Sequence, residues 1–160
     1  MITLVLGGAR SGKSALAEGL IPAQAAATYV ATLAVGDDAD LAARVAAHRA
    51  RRPTPWRTRE CGADLPAQLR ALAGPVLIDS LGPWVATVGS GHAQALVDAL
   101  RARAGDTVVV SEEVGLGVHP ASAAGRAFRD DLGILNQAVA AAADTVVLVV
   151  AGCALRVKGA

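Results

Sequence analysis

Near the start of the chain, Gly7-Gly8-Ala9-Arg10-Ser11-Gly12-Lys13-Ser14 has the spacing G-x-x-x-x-G-K-[ST]. Glycines at these positions let the backbone wrap around phosphates. Several N–H groups and the start of the next helix then face negative charge. Lys13 is placed to bridge the β- and γ-phosphates of a nucleoside triphosphate, and the Ser14 hydroxyl to bind Mg²⁺. By composition alone the pattern arises at on the order of one start position in ten thousand or fewer. Only two of the 15 basic residues are lysines, Lys13 and Lys158. A lysine at this position is therefore not filler.

A P-loop needs a carboxylate on a neighbouring strand to hold the hydrated metal. Val76-Leu77-Ile78-Asp79 is an apolar run ending in an acid, so Asp79 is the Walker B candidate. A helix-capping aspartate is the alternative for the same residue. Asp79-Ser80-Leu81-Gly82 also fits the DxxG pattern of a GTPase switch. Neither lysine has an Asp two residues later, as guanine-reading Asn/Thr-Lys-x-Asp requires, which disfavours a regulatory GTPase. A third group, Arg44, His48, Arg51 and Arg52, has helical spacing and forms a basic stripe. On its own it reads as a solvated helix face.

These groups need a scaffold. Ile2–Leu6, Thr28–Leu33, Val76–Asp79, Thr107–Ser111 and Thr145–Val150 read as strands buried on both faces. Helical patterns fall at Lys13–Leu20, Asp38–Arg51, Leu65–Leu72, Ala93–Arg103 and Ala123–Ala143. Pro22 stops the first helix, and Asp37 or Asp38 caps the second. Pro53–Arg59 and Gly82–Gly91 read as irregular. The alternation predicts one α/β domain over residues 1–160, a mostly parallel sheet flanked by helices, with ligands at the carboxyl ends of the strands.

With 160 residues, 53% apolar and only 2% aromatic, the core must be Ala, Val and Leu. A net charge of +1 argues against a general nucleic-acid or membrane-surface binder. Cys61 and Cys153 lack metal-ligand spacing and read as small buried residues of a reducing cytoplasm. No targeting segment is visible, and the longest apolar run, around Val146–Leu155, is too short to span a bilayer. A soluble, cytoplasmic protein is expected.

Beyond the P-loop, the chain carries Tyr29-Val30-Ala31-Thr32, Arg44 to His48, Arg52-Pro53-x-x-Trp56-Arg57-Thr58-x-Glu60 and Leu77-Ile78-Asp79-Ser80-Leu81. Glu113-Val114-Gly115-x-Gly117-x-x-Pro120, Phe128-Arg129-Asp130 and Leu135-Asn136-Gln137 follow in order. Together these resemble the bifunctional adenosylcobinamide kinase/adenosylcobinamide-phosphate guanylyltransferase family of cobalamin biosynthesis. The resemblance implies a RecA-like P-loop NTPase fold and a homo-oligomer, typically a trimer. It implies phosphorylation of adenosylcobinamide, a corrinoid, with ATP or GTP, and then transfer of GMP from GTP to that phosphate. His48 matches the histidine that carries GMP. Ala31, Thr32, Leu33, Arg49, Ala50, Arg51, Arg52, Glu60 and Asp79 fall where the family contacts its guanine nucleotide. Glu112 and Glu113 are the acidic candidates for a kinase base. The chain departs from the family pattern at Thr87 and Glu112, where Asn is common, and at Gly82-Pro83. His92 and His119 read as surface or loop histidines, and Trp56 and Trp84 as packing anchors. The competing readings are another P-loop small-molecule kinase or nucleotidyltransferase with an incidental His48, and a non-enzymatic nucleotide-dependent module.

Overall fold

The computed structural model describes residues 1–32 and 55–159. Its strands are β1 (Ile2–Gly7), β2 (Thr28–Ala31), β3 (Arg57–Glu60), β4 (Val76–Asp79), β5 (Thr107–Glu112), β6 (Thr145–Val150) and β7 (Cys153–Lys158). Its helices are α1 (Lys13–Gly19), α2 (Leu65–Ala71), α3 (Leu81–Val88), α4 (Ala93–Arg101) and α5 (Ala123–Ala142). The strands form one sheet in the order β3-β2-β4-β5-β1-β6-β7. All neighbours are parallel except β6 and β7. The phosphate-loop strand β1 is thus central, with β5 on one side and β6 on the other.

Alternation along each strand sends neighbouring side chains to opposite faces. Leu4, Val30, Ile78, Val109 and Val146 pack with Leu65, Trp84, Leu96 and Leu132 from α2, α3, α4 and α5. Val5, Tyr29, Leu77, Val108 and Val147 pack on the other face with Ala17, Ile21 and Trp56. Trp84, 1% exposed, heads the fully buried side chains by size, and its ring meets His92 edge-on. No described helix is long and apolar enough to cross a membrane.

Three expectations are corrected. The stretch Gly82–Gly91 is mostly ordered helix, because Pro83 is the third residue of α3. At that position the proline gives up an N–H that has no partner within the helix. Pro53–Arg59 runs into β3, a strand with every residue exposed, which leaves no apolar alternation to read. Cys153 is exposed, whereas Cys61 is buried as expected. Cys153 opens β7, another fully exposed strand. The expected helix Asp38–Arg51 lies outside the described residues.

Candidate nucleotide site

The strand β1 ends at Gly7, and α1 begins at Lys13. Between them Gly12 takes φ +94°, a left-handed conformation that costs glycine nothing and other residues a Cβ clash. The N-cap Gly12 offers no side chain to cap α1. The loop is braced from both sides. Ser11 N–H donates to Gly8 O at 3.3 Å, and Gly152 N–H, from the β6–β7 turn, donates to Ser11 O at 2.9 Å. Lys13 Nζ donates to Gly8 O at 3.3 Å and stands 3.9 Å from Glu112 Oε1.

Asp79 ends β4, two strands from β1. Ser14 Oγ donates to its Oδ1 at 3.3 Å, and Tyr29 OH donates to its Oδ2 at 2.9 Å. The N-cap of α3 is Ser80, not Asp79. The hydroxyl and carboxylate of Ser14 and Asp79 are hard oxygen donors on the phosphate side of the sheet, which suits Mg²⁺. Among the described residues no group of three or more His, Cys, Asp or Glu is arranged to hold a metal. An ion here would complete its shell with water and phosphate oxygens, as Mg²⁺ habitually does.

Glu112, at the end of β5, lies between these two groups. It is in register with Gly7 of β1. Ser80 Oγ donates to its Oε1 at 2.6 Å, and Gly82 N–H donates to its Oε2 at 2.9 Å. A Cβ at position 82 would come within 2.3 Å of that oxygen, so a larger residue there would push the Glu112 carboxylate out of this position. From below, Asn136 Nδ2 on α5 donates to Glu112 O at 3.0 Å, and Ser111 Oγ donates to Asn136 Oδ1 at 2.6 Å. Tyr29, Ser80 and Asn136 lie within the quoted family segments, but nothing in the spacing of the residues assigns them these contacts, which the strand order and the packing of α5 create.

A second group of expected residues lines a cleft of about 430 Å³ at the carboxyl ends of β2 and β3. Among the described residues, Ala31, Thr32, Glu60, Cys61, Gly62, Pro83 and Thr87 line it. This volume is within the range of small-ligand pockets. The cleft joins the phosphate side through backbone register, since Ala31 pairs with Asp79, and through a hydrogen bond from Thr32 Oγ1 to Ser80 O. Burial, with the Asp64 charge adding to it, pushes the Cys61 thiol up from its ordinary value, so it stays protonated. Leu33, His48, Arg49, Ala50, Arg51 and Arg52 lie outside the described residues. His92 and His119 are exposed and hydrogen-bond locally, to Val88 O and Arg129 respectively.

A G-x-x-x-x-G-K-S turn on a central parallel strand, with a carboxylate ending the strand two places away, defines an α/β P-loop protein of the RecA-like type. Solved structures agree on the fold. A prototypical ATPase from the type III secretion system of pathogenic bacteria matches 92% of this chain and 50% of that chain, with a TM-score of 0.53 and 10% identity. A family model described as cobinamide kinase / cobinamide phosphate guanyltransferase matches residues 3–157. The bifunctional adenosylcobalamin biosynthesis protein CobP of Pseudomonas aeruginosa is 40% identical over 171 residues, covering 99% of this chain and 98% of that protein. CobU of Salmonella typhimurium is 36% identical over 182 residues, covering 99% and 100%. The chain belongs to the cobinamide kinase / cobinamide phosphate guanyltransferase family of enzymes.

Proposed function

We propose that one cytoplasmic P-loop domain carries out two successive transfers on a corrinoid. The first moves a phosphoryl group from ATP or GTP to the hydroxyl of adenosylcobinamide. The second moves GMP from GTP to that phosphate through a guanylylated His48, releasing pyrophosphate. The observation that carries this reading is the convergence of Lys13, Ser14 and Asp79 at one end of the sheet, together with the family membership.

In the kinase step there is little covalent work for the protein, and alignment with charge neutralisation supplies the catalysis. Lys13 and the N–H groups of the loop hold the phosphates. Ser14 and Asp79 would hold Mg²⁺, which spreads the developing charge when bound. In the second step a neutral imidazole of His48 bonds to the α-phosphorus as the bond to pyrophosphate breaks. The corrinoid phosphate oxygen then bonds to the same phosphorus, and the P–N bond breaks to return the imidazole. Arg49, Arg51 and Arg52, adjacent in sequence, would offset the charge of the departing pyrophosphate. Ala31, Thr32, Leu33, Ala50 and Glu60 would contact the guanine nucleotide, in a protein that assembles as a trimer.

The test is intact-protein mass after incubation with GTP and Mg²⁺. A single GMP adduct, stable to base and labile to acid, is expected on the wild type and absent from His48→Ala. That variant should retain ATP-dependent phosphorylation of adenosylcobinamide. An adduct that persists in His48→Ala, or an active wild type that forms none, removes His48 as the nucleophile and leaves a P-loop kinase or nucleotidyltransferase of another kind.

A further inference from the structure

Lys13 is 12% exposed at its side chain and Glu112 is 26% exposed, and their charged atoms stand 3.9 Å apart. An ammonium so far withdrawn from water needs compensation. The described partners of Lys13 are the Gly8 carbonyl at 3.3 Å and this carboxylate. Both contacts are long beside the roughly 2.7–2.9 Å of a good charge-assisted hydrogen bond. The lysine is paired but not anchored. Glu112, by contrast, is anchored without it. Ser80 Oγ and Gly82 N–H occupy one site on each oxygen, and Asn136 fixes the backbone behind it.

We propose that Glu112 is a positioning residue for the P-loop lysine, serving as the counter-ion that Lys13 gives up when a nucleoside triphosphate arrives. This rests on the nucleotide-binding reading above. Before binding, the carboxylate keeps the ammonium inside the loop. On binding, Lys13 turns to the phosphate oxygens, while Ser80 and Gly82 hold the carboxylate where it was. A fixed negative charge then remains beside the phosphate site. It weakens triphosphate affinity and favours release of the spent nucleotide.

The experiment pairs Glu112→Gln with Lys13→Met. Glu112→Gln should bind the β,γ-imido analogue of GTP, with Mg²⁺, about threefold to tenfold more tightly than the wild type, the scale of losing one partly screened charge contact. In the ligand-free protein, Glu112→Gln should lower stability in the wild-type background and by clearly less in the Lys13→Met background, since the pair is already broken there. Unchanged or weaker analogue binding overturns the proposal. So does a stability loss of equal size in both backgrounds, which would mean that Glu112 acts through Ser80 and Gly82 alone. If Glu112→Gln does not fold, Glu112→Asn carries the same comparison, because it too removes the charge and keeps an amide oxygen that can accept from Ser80 or Gly82. A wild type that binds no analogue overturns the nucleotide-binding reading itself. A wild type that binds, with a Gln variant that binds no better, overturns only the role of Glu112.

Discussion

Two cations at opposite ends of the sheet, Lys13 and Arg103, are held in different ways. Arg103 sits before β5 and is bonded on every side. Its guanidinium donates to Leu69 O at 3.0 Å, Leu72 O at 2.6 Å, Gly74 O at 2.6 Å and Thr107 Oγ1 at 2.9 Å. Leu69 and Leu72 belong to the end of α2, where carbonyls lack helical partners and a positive charge is favoured. Burial lowers its pKa, yet a guanidinium stays charged. Lys13, at the carboxyl ends, has one long bond to a carbonyl and one loose ion pair. A cation with four donors spent on three carbonyls and a hydroxyl of the fold is held for structure. A cation left partly satisfied beside a glycine turn is available to a ligand.

The contrast is open to direct attack. The largest effect should come from Lys13→Ala, with both half-reactions falling by about a hundredfold to a thousandfold or more while the protein keeps its fold and a cooperative thermal transition. Near-wild-type guanylyl transfer in that variant would place the two reactions at separate phosphate sites. Arg103→Met should do the opposite. Stability should drop by about 2–4 kcal/mol as the half-buried carbonyls lose a charged donor, while KM for GTP barely moves, read by urea unfolding and steady-state kinetics. Asp79→Asn should raise the Mg²⁺ needed for half-maximal rate by roughly tenfold, about 1.4 kcal/mol. An unchanged Mg²⁺ titration would return Asp79 to a structural role, as a hydrogen-bond acceptor for Ser14 and Tyr29. The smallest effect concerns the thiols. At pH 8 a disulfide reagent should label exposed Cys153 quickly and Cys61 slowly, because burial keeps Cys61 in the unreactive thiol form. Saturating GTP should slow Cys61 further if nucleotide fills the cleft it lines.

What the sequence discloses follows the same divide between local and assembled features. The phosphate loop is legible because its chemistry lies within eight consecutive residues, Gly7 to Ser14. Asp79 is legible because an acid closing an apolar run is a local pattern. The buried strands β1, β2, β4, β5 and β6 announce themselves by apolar runs. The edge strand β3 does not, since its four residues are polar and exposed, and β7 is hidden because Cys153–Leu155 continue the apolar run of β6 with only Gly152 to mark the turn. The start of α3 is masked by Gly82-Pro83, residues that usually break helices. The glycine leaves room for the Glu112 carboxylate, and the proline costs nothing in the first turn. Glu112 itself is readable as an acid but not as the neighbour of Lys13. That contact joins residues 99 positions apart through the β1–β5 register, which the local pattern does not encode.

The central place of β1 has a consequence for the order in which the molecule can be assembled. Its two ladder partners are β5 and β6, beginning at Thr107 and Thr145, and the brace on Ser11 comes from Gly152. The P-loop residues are made first, but the groups that hold them in shape are made last. Contacts this distant in sequence close slowly, because chain entropy is lost before they form. During synthesis β1 therefore waits unpaired while most of the chain is made, and nucleotide has nothing to grip until the late strands arrive. Nascent chains stalled before Thr107 should gain no protease protection from GTP and Mg²⁺, whereas chains released past Gly152 should gain it within the folding time.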